Sequence, residues 1–108
     1  MRNTISESLK AVDYKVYATR KSVEGLDLFK KYDIDICILD VEMTGMDGFA
    51  LAAQIRMLNP DMPVIFLVSK GLFLNMLKDF EYGVDDYLTK PFSNEELLLR
   101  IKAVLRRV

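Results

Sequence analysis

Histidine is absent from this chain of 108 residues. That removes the commonest general base and the commonest metal ligand. A single cysteine, Cys37, excludes an internal disulfide and any cysteine-rich zinc site. A metal site here must be built from oxygen ligands, which favours hard ions such as magnesium or calcium. Neither sign of charge prevails, with 15 basic and 16 acidic side chains and a formal net charge of −1. Such a balance argues against a whole-domain electrostatic grip on nucleic acid. No uninterrupted apolar run is longer than Val64–Val68, far short of the ~20 residues a membrane helix needs. The first ten residues, MRNTISESLK, are polar and mixed, unlike a secretory signal. The lone thiol fits a reducing compartment, so the expected location is cytoplasmic, with no membrane contact.

What remains is ordinary material for one folded domain, 51% hydrophobic and 29% charged. Short apolar runs alternate with helical spacing. Ile36–Leu39 ends at Asp40, and Pro63–Val68 ends at Ser69. Runs of this kind, rich in β-branched residues and bounded by turn formers, read as strands buried on both faces. Lys15–Ala18 and Asp85–Leu88 are two weaker strands. Between them, Ser22 as N-cap with Val23, Leu26 and Phe29 predicts a helix. Phe49, Ala52 and Ile55 predict another, stopped by Asn59-Pro60. Leu72, Met76, Leu77 and Phe80 form a further stripe closed by Gly83. Ser93 or Asn94 opens the last helix, which carries Leu97, Leu98, Ile101, Val104, Leu105 and Val108 on one face. Thr4–Ala11 supplies a first helix, with Ile5, Leu9 and Val12 inward. Alternation of this kind predicts a parallel α/β sheet with right-handed crossovers. A doubly wound unit normally begins with a strand, whereas this order begins with a helix.

In open α/β sheets ligands gather at the carboxyl ends of strands. Asp40 ends one strand, Ser69 and Lys70 the next, and Thr89 and Lys90 the last. A carboxylate, a hydroxyl and an ammonium converging in one crevice suit a phosphoryl group. Singly, each has a plainer reading: Asp40 as a turn residue or helix cap, Lys90 as a solvated lysine.

The stretches ICILDVEMTGMDGF, PVIFLVSK and GVDDYLTKPFSNEELLLRIKAVLRR resemble the receiver domain of two-component response regulators. The resemblance covers nearly the whole chain. It implies a flavodoxin-like, three-layer parallel sheet of strand order 2-1-3-4-5. It also implies a signalling role rather than an enzyme's. Asp40 matches the phosphoacceptor and Lys90 the lysine that pairs with the phosphoryl oxygens, with Lys90-Pro91 expected to be cis. Asp40 and the backbone carbonyl of Glu42 match magnesium ligands. Tyr87 matches the aromatic switch that turns inward on phosphorylation. Met46-Asp47-Gly48 matches the turn opening the third helix, where Gly48 would supply backbone freedom. The plainer reading of Tyr87 is a packed strand aromatic.

Two departures accompany the resemblance. Val68 stands where the family has a Ser or Thr, so one donor to the phosphoryl group is lost. Ser69 is adjacent, but side chains alternate along a strand. The family's first strand and the acidic pair after it are also missing, which weakens the magnesium site. Without that strand, a gap of roughly 9–10 Å would separate the second and third strands. Three outcomes are open: the natural chain continues upstream, another copy donates the strand, or the neighbours close up. The expectation is the first, so residues 1–108 read as one N-terminally incomplete receiver domain.

The resemblance names partners too. A histidine kinase would supply the phosphoryl group. Asp86, Glu96, Arg100 and Arg107 match charged positions of the dimerisation face in regulators with a winged-helix DNA-binding domain. That face comprises the fourth helix, fifth strand and fifth helix. Met76 replaces a basic residue of that face, and the alternative is a solvated helix surface. DNA would be reached only through an output domain outside this chain. Two competitors remain. One is a degenerate receiver acting only as a protein-interaction module. The other is a phosphohydrolase built on Asp40-Val41-Glu42, for which a cap and a second acidic loop find no room.

Overall fold

The computed structural model describes residues 9–10, 14–42, 47–71 and 86–106. Three strands, β1 (Cys37–Asp40), β2 (Val64–Ser69) and β3 (Asp86–Lys90), form a parallel sheet in the order β1-β2-β3. Three helices are described in full: α1 (Ser22–Lys31), α2 (Gly48–Leu58) and α3 (Asn94–Arg106). Leu9 and Lys10 are helical as well. The stripe from Leu72 to Gly83 lies outside the described residues, as do Ile5, Val12, Arg107 and Val108.

β2 is the central strand, and five of its six residues are buried. That is why its sequence is a continuous apolar run rather than an alternation. Its two faces feed two cores. Leu39, Val41, Val64, Phe66 and Val68 pack with Leu51, Ala52 and Ile55 of α2, and Leu26 and Phe29 of α1 close over them. On the other face Ile65, Leu67 and Leu88 meet Leu97, Ile101 and Val104 of α3, together with Leu9. Helices on both faces of a parallel sheet make the three-layer α/β architecture that the alternation predicts.

The helix boundaries follow local chemistry. Asp47 caps α2, its carboxylate accepting from Ala50 N–H at 2.8 Å. The helix ends at Leu58, ahead of Asn59-Pro60. Ser93 opens α3 with a capping box: Glu96 N–H donates to Ser93 Oγ at 3.1 Å, and Ser93 N–H reaches Glu96 Oε1 at 3.5 Å.

Three local expectations are corrected. Ser22 is not a cap: it is the first residue of α1 and fully buried, and Lys21 holds the cap position without a side-chain bond. Thr19 organises this turn instead, accepting from Lys21 N–H at 3.1 Å and donating to Glu24 at 2.7 Å. Val23 does not face inward but is 61% exposed. The inner face of α1 runs through Ser22, Leu26 and Phe29, and Leu26 and Phe29 pack against the first core. Lys15–Ala18 is not a strand, since residues 14–19 are outside the sheet. In the expected order its ladder partner is the first strand rather than β1, and no such neighbour stands among the described residues. An extended segment without a neighbour has no ladder to form. Tyr14 and Val16 still pack against the second core, and Tyr17 stacks on Tyr32 with ring centroids 4.0 Å apart. β3 also runs further than Leu88, to Lys90.

Candidate functional site

The site forms where the three strands end. In register, Asp40 stands opposite Leu67, and Ser69 opposite Lys90. β1 and β3 are not neighbours, so the Lys90 side chain must cross the end of β2 to reach Asp40. It does so: Lys90 Nζ lies 2.5 Å from Asp40 Oδ2. A flexible four-carbon stem makes that span feasible. Asp40 Oδ1 is occupied separately, accepting from Glu42 N–H at 2.9 Å. This is the local turn that Asp favours two residues upstream of a free backbone N–H. The carboxylate is thus held at both oxygens while its side chain stays about 36% exposed. A partly exposed carboxylate fixed between an ammonium and an amide is positioned to meet an incoming electrophile.

Other predicted residues are placed as follows. Val68 is fully buried in the first core beside Phe66, register-paired with Thr89, and offers no hydroxyl. Ser69 is half-exposed next to Lys90, and Lys70 is exposed. Tyr87 is half-buried, its ring 6.0 Å from that of Phe66, which in turn lies 4.7 Å from Phe49. Burial pushes the Tyr87 phenol above its ordinary range. Lys90-Pro91 is cis, as expected. Glu96 is exposed and engaged with Ser93, and Arg100 is exposed. Asp86 begins β3. Arg107 and Met76 lie outside the described residues.

The oxygen donors that the resemblance assigns to a cation are the Asp40 carboxylate and the Glu42 backbone carbonyl. Among the described residues no group of three or more acidic, histidine or cysteine side chains could hold a metal. The donors are therefore right in kind for a hard ion but few in number.

The response regulator receiver domain family matches residues 1–102. The chain belongs to the response regulator receiver domain family. Receiver domains of this family serve two-component systems, interact with histidine kinases and generally bind magnesium. Among relatives, the chain is 44% identical over 104 residues to the transcriptional regulatory protein RprY of Bacteroides fragilis, covering 96% of this chain and 44% of that protein. It is 36% identical over 104 residues to the cell cycle response regulator CtrA of Brucella ovis, covering 96% and 45% respectively. The receiver domain thus spans less than half the length of these relatives. Among solved structures, the receiver domain of the Francisella response regulator 1452 superposes with a TM-score of 0.86 at 29% identity, covering 98% of this chain and 88% of that one. A receiver domain protein from Clostridium thermocellum gives 0.88 at 28% identity, over 98% and 86%. These likenesses carry the flavodoxin-like α/β fold that the sequence implies. Among the described residues no helix is long and apolar enough to cross a membrane.

One contributor escaped the sequence reading, and the reason expected for another is corrected. The first is the Glu42 N–H, which fixes Asp40 Oδ1; the Asp-x-x turn pattern was the available signal. The second is Gly48. Its φ lies outside the left-handed region, so backbone freedom is not what the position needs. It needs the absence of a side chain, because Gly48 lies against the backbone of Asp40 and Val41.

Proposed function

We propose that this receiver domain accepts a phosphoryl group on Asp40. The observation that carries the reading is the carboxylate held by Lys90 on one oxygen and Glu42 N–H on the other, yet open to solvent. In the step, an Asp40 oxygen attacks phosphorus of a phosphohistidine on a partner kinase. The P–N bond breaks, the leaving imidazole takes up a proton, and an aspartyl phosphate forms. Charge gathers on the phosphoryl oxygens, and the Lys90 ammonium is placed to offset it. Asp40 and the Glu42 carbonyl would hold magnesium, which when bound supplies further charge neutralisation.

The phosphorylated state is relayed through Tyr87, whose ring already packs on Phe66 in the core behind the site. Asp86, Glu96, Arg100 and Arg107 would contribute to a homodimer face. Transcriptional output through DNA would belong to a segment outside this domain, consistent with relatives more than twice its length. The chain is a phosphoacceptor, not an enzyme acting on a separate substrate.

The test is incubation of the full-length protein with acetyl phosphate and magnesium, followed by intact mass and peptide mapping. A single phosphate adduct at Asp40, absent in Asp40→Asn, is expected. No adduct would remove the reading.

One observation favours a second reading, a receiver used only for protein binding: Val68 is buried and brings no hydroxyl donor. If adduct appears only in Val68→Thr, that second reading holds.

A further inference from the structure

The start of α2 is pressed against the strand that carries Asp40. Gly48 is buried, and its N–H donates to the Val41 carbonyl at 3.2 Å. A Cβ at position 48 would lie 2.6 Å from the Asp40 carbonyl oxygen, 2.8 Å from Val41 Cα and 3.0 Å from the Asp40 carbonyl carbon. All three atoms are backbone. A flexible side-chain tip could rotate away from such a contact, but a peptide unit cannot. Any side chain at 48 must therefore push either the first turn of α2 or the Asp40–Val41 peptide.

Neither part is free to yield independently. α2 is anchored by Leu51, Ala52 and Ile55, all buried in the first core. Its start is tied by the Asp47 cap and by the Gly48–Val41 bond. On the other side, Val41 is buried and its N–H bonds Leu67 of β2 at 3.1 Å. The displaced peptide would be the one following Asp40. The Glu42 N–H that fixes Oδ1 lies just beyond it.

We propose that Gly48 is a positioning residue for Asp40. Its bare Cα lets α2 seat on the Asp40–Val41 backbone, and that seat sets where the carboxylate stands relative to Lys90. Gly48 touches no reacting atom, and its effect passes through the Asp40 peptide. The proposal rests on the phosphoacceptor reading of Asp40 for its consequence, but not for its geometry.

The test is Gly48→Ala in the full-length protein, at a temperature well below its melting transition. Two quantities are read: the rate of adduct formation from acetyl phosphate with magnesium, and the ¹³Cγ resonance of Asp40. A misplacement of about 1 Å can cost on the order of 100-fold in rate. The expected result is adduct formation roughly 10- to 100-fold slower, with the Asp40 ¹³Cγ resonance moved and the folded fraction unchanged. A wild-type rate with an unmoved resonance overturns the proposal. Should Gly48→Ala not fold, Asp47→Ala keeps the glycine and loosens the same helix start by removing its cap. A moved Asp40 resonance and slower adduct formation then support the proposal, and an unmoved resonance overturns it. If the wild-type protein takes no phosphate at all, the phosphoacceptor reading fails while the resonance still decides the positioning role.

Discussion

Lys90 Nζ meets Asp40 Oδ2 at 2.5 Å although the two residues stand fifty positions apart in the chain and the whole of β2 lies between their strands. Both side chains are about one-third exposed, at 28% and 36%. Water and salt screen such a pair, so its contribution to stability is at most about 1 kcal/mol. In the proposed phosphoryl transfer its contribution would be larger, because one oriented donor is worth roughly 100- to 1,000-fold in rate. Lys90→Ala is therefore expected to leave the urea midpoint nearly unchanged while slowing adduct formation on Asp40 by that factor. Denaturant titration beside time-resolved intact mass measures both.

Val68→Thr separates stability from chemistry in the opposite sense. Val68 is fully buried, and burying a hydroxyl there costs roughly 1–3 kcal/mol where it finds no partner. If position 68 takes the family's donor role in the proposed phosphoryl transfer, the same hydroxyl would restore a donor worth about 1–3 kcal/mol. The variant is expected to unfold at lower denaturant yet to form more adduct, or hold it longer. Phosphate release followed over time by mass spectrometry checks the second half.

Cys37 makes stability depend on pH. Burial at the start of β1 pushes its thiol from 9.0 up to about 12, and Arg56 only partly opposes this. The folded state therefore keeps the proton after the unfolded chain has lost it. Stability linked to Cys37 is present in full below pH 9 and falls as pH rises from there towards 12. The loss is on the order of a few kcal/mol at the upper end. Chemical denaturation between these limits should show a shallower decline for Cys37→Ala than for wild type. In the folded protein at neutral pH, the thiol should react with iodoacetamide only on denaturant opening.

The capping box of α3 offers a purely structural control. Ser93→Ala removes the acceptor for Glu96 N–H and should cost about 1 kcal/mol. For a domain of this size that lowers the melting temperature by about 4–8 °C. Calorimetry measures it directly.

Much of the fold was legible because burial dictates composition. The β2 run, short, rich in β-branched residues and bounded by turn formers, reads as a doubly covered strand, and Asn59-Pro60 and Ser93-x-x-Glu96 mark helix ends by local chemistry. Asp40 and Lys90 were legible as strand-end residues of matching character. Lys15–Ala18 misled because its apolar pattern describes a strand only when a neighbour supplies the ladder. Val23 misled because spacing alone gives a helix face, while the packing of Leu26 and Phe29 on the first core decided which face turns inward.

By itself, then, the sequence determined the alternating α/β order, the absence of imidazole, disulfide and cysteine-rich metal chemistry, and the residues available for a phosphoryl site. Only the tertiary structure decided that Lys90 spans β2 to reach Asp40, that Val68 is sealed in the core, and that position 48 admits no side chain. These depend on distances between segments far apart in the chain. No local propensity encodes such distances; they are set when the sheet and the helices on both its faces pack together.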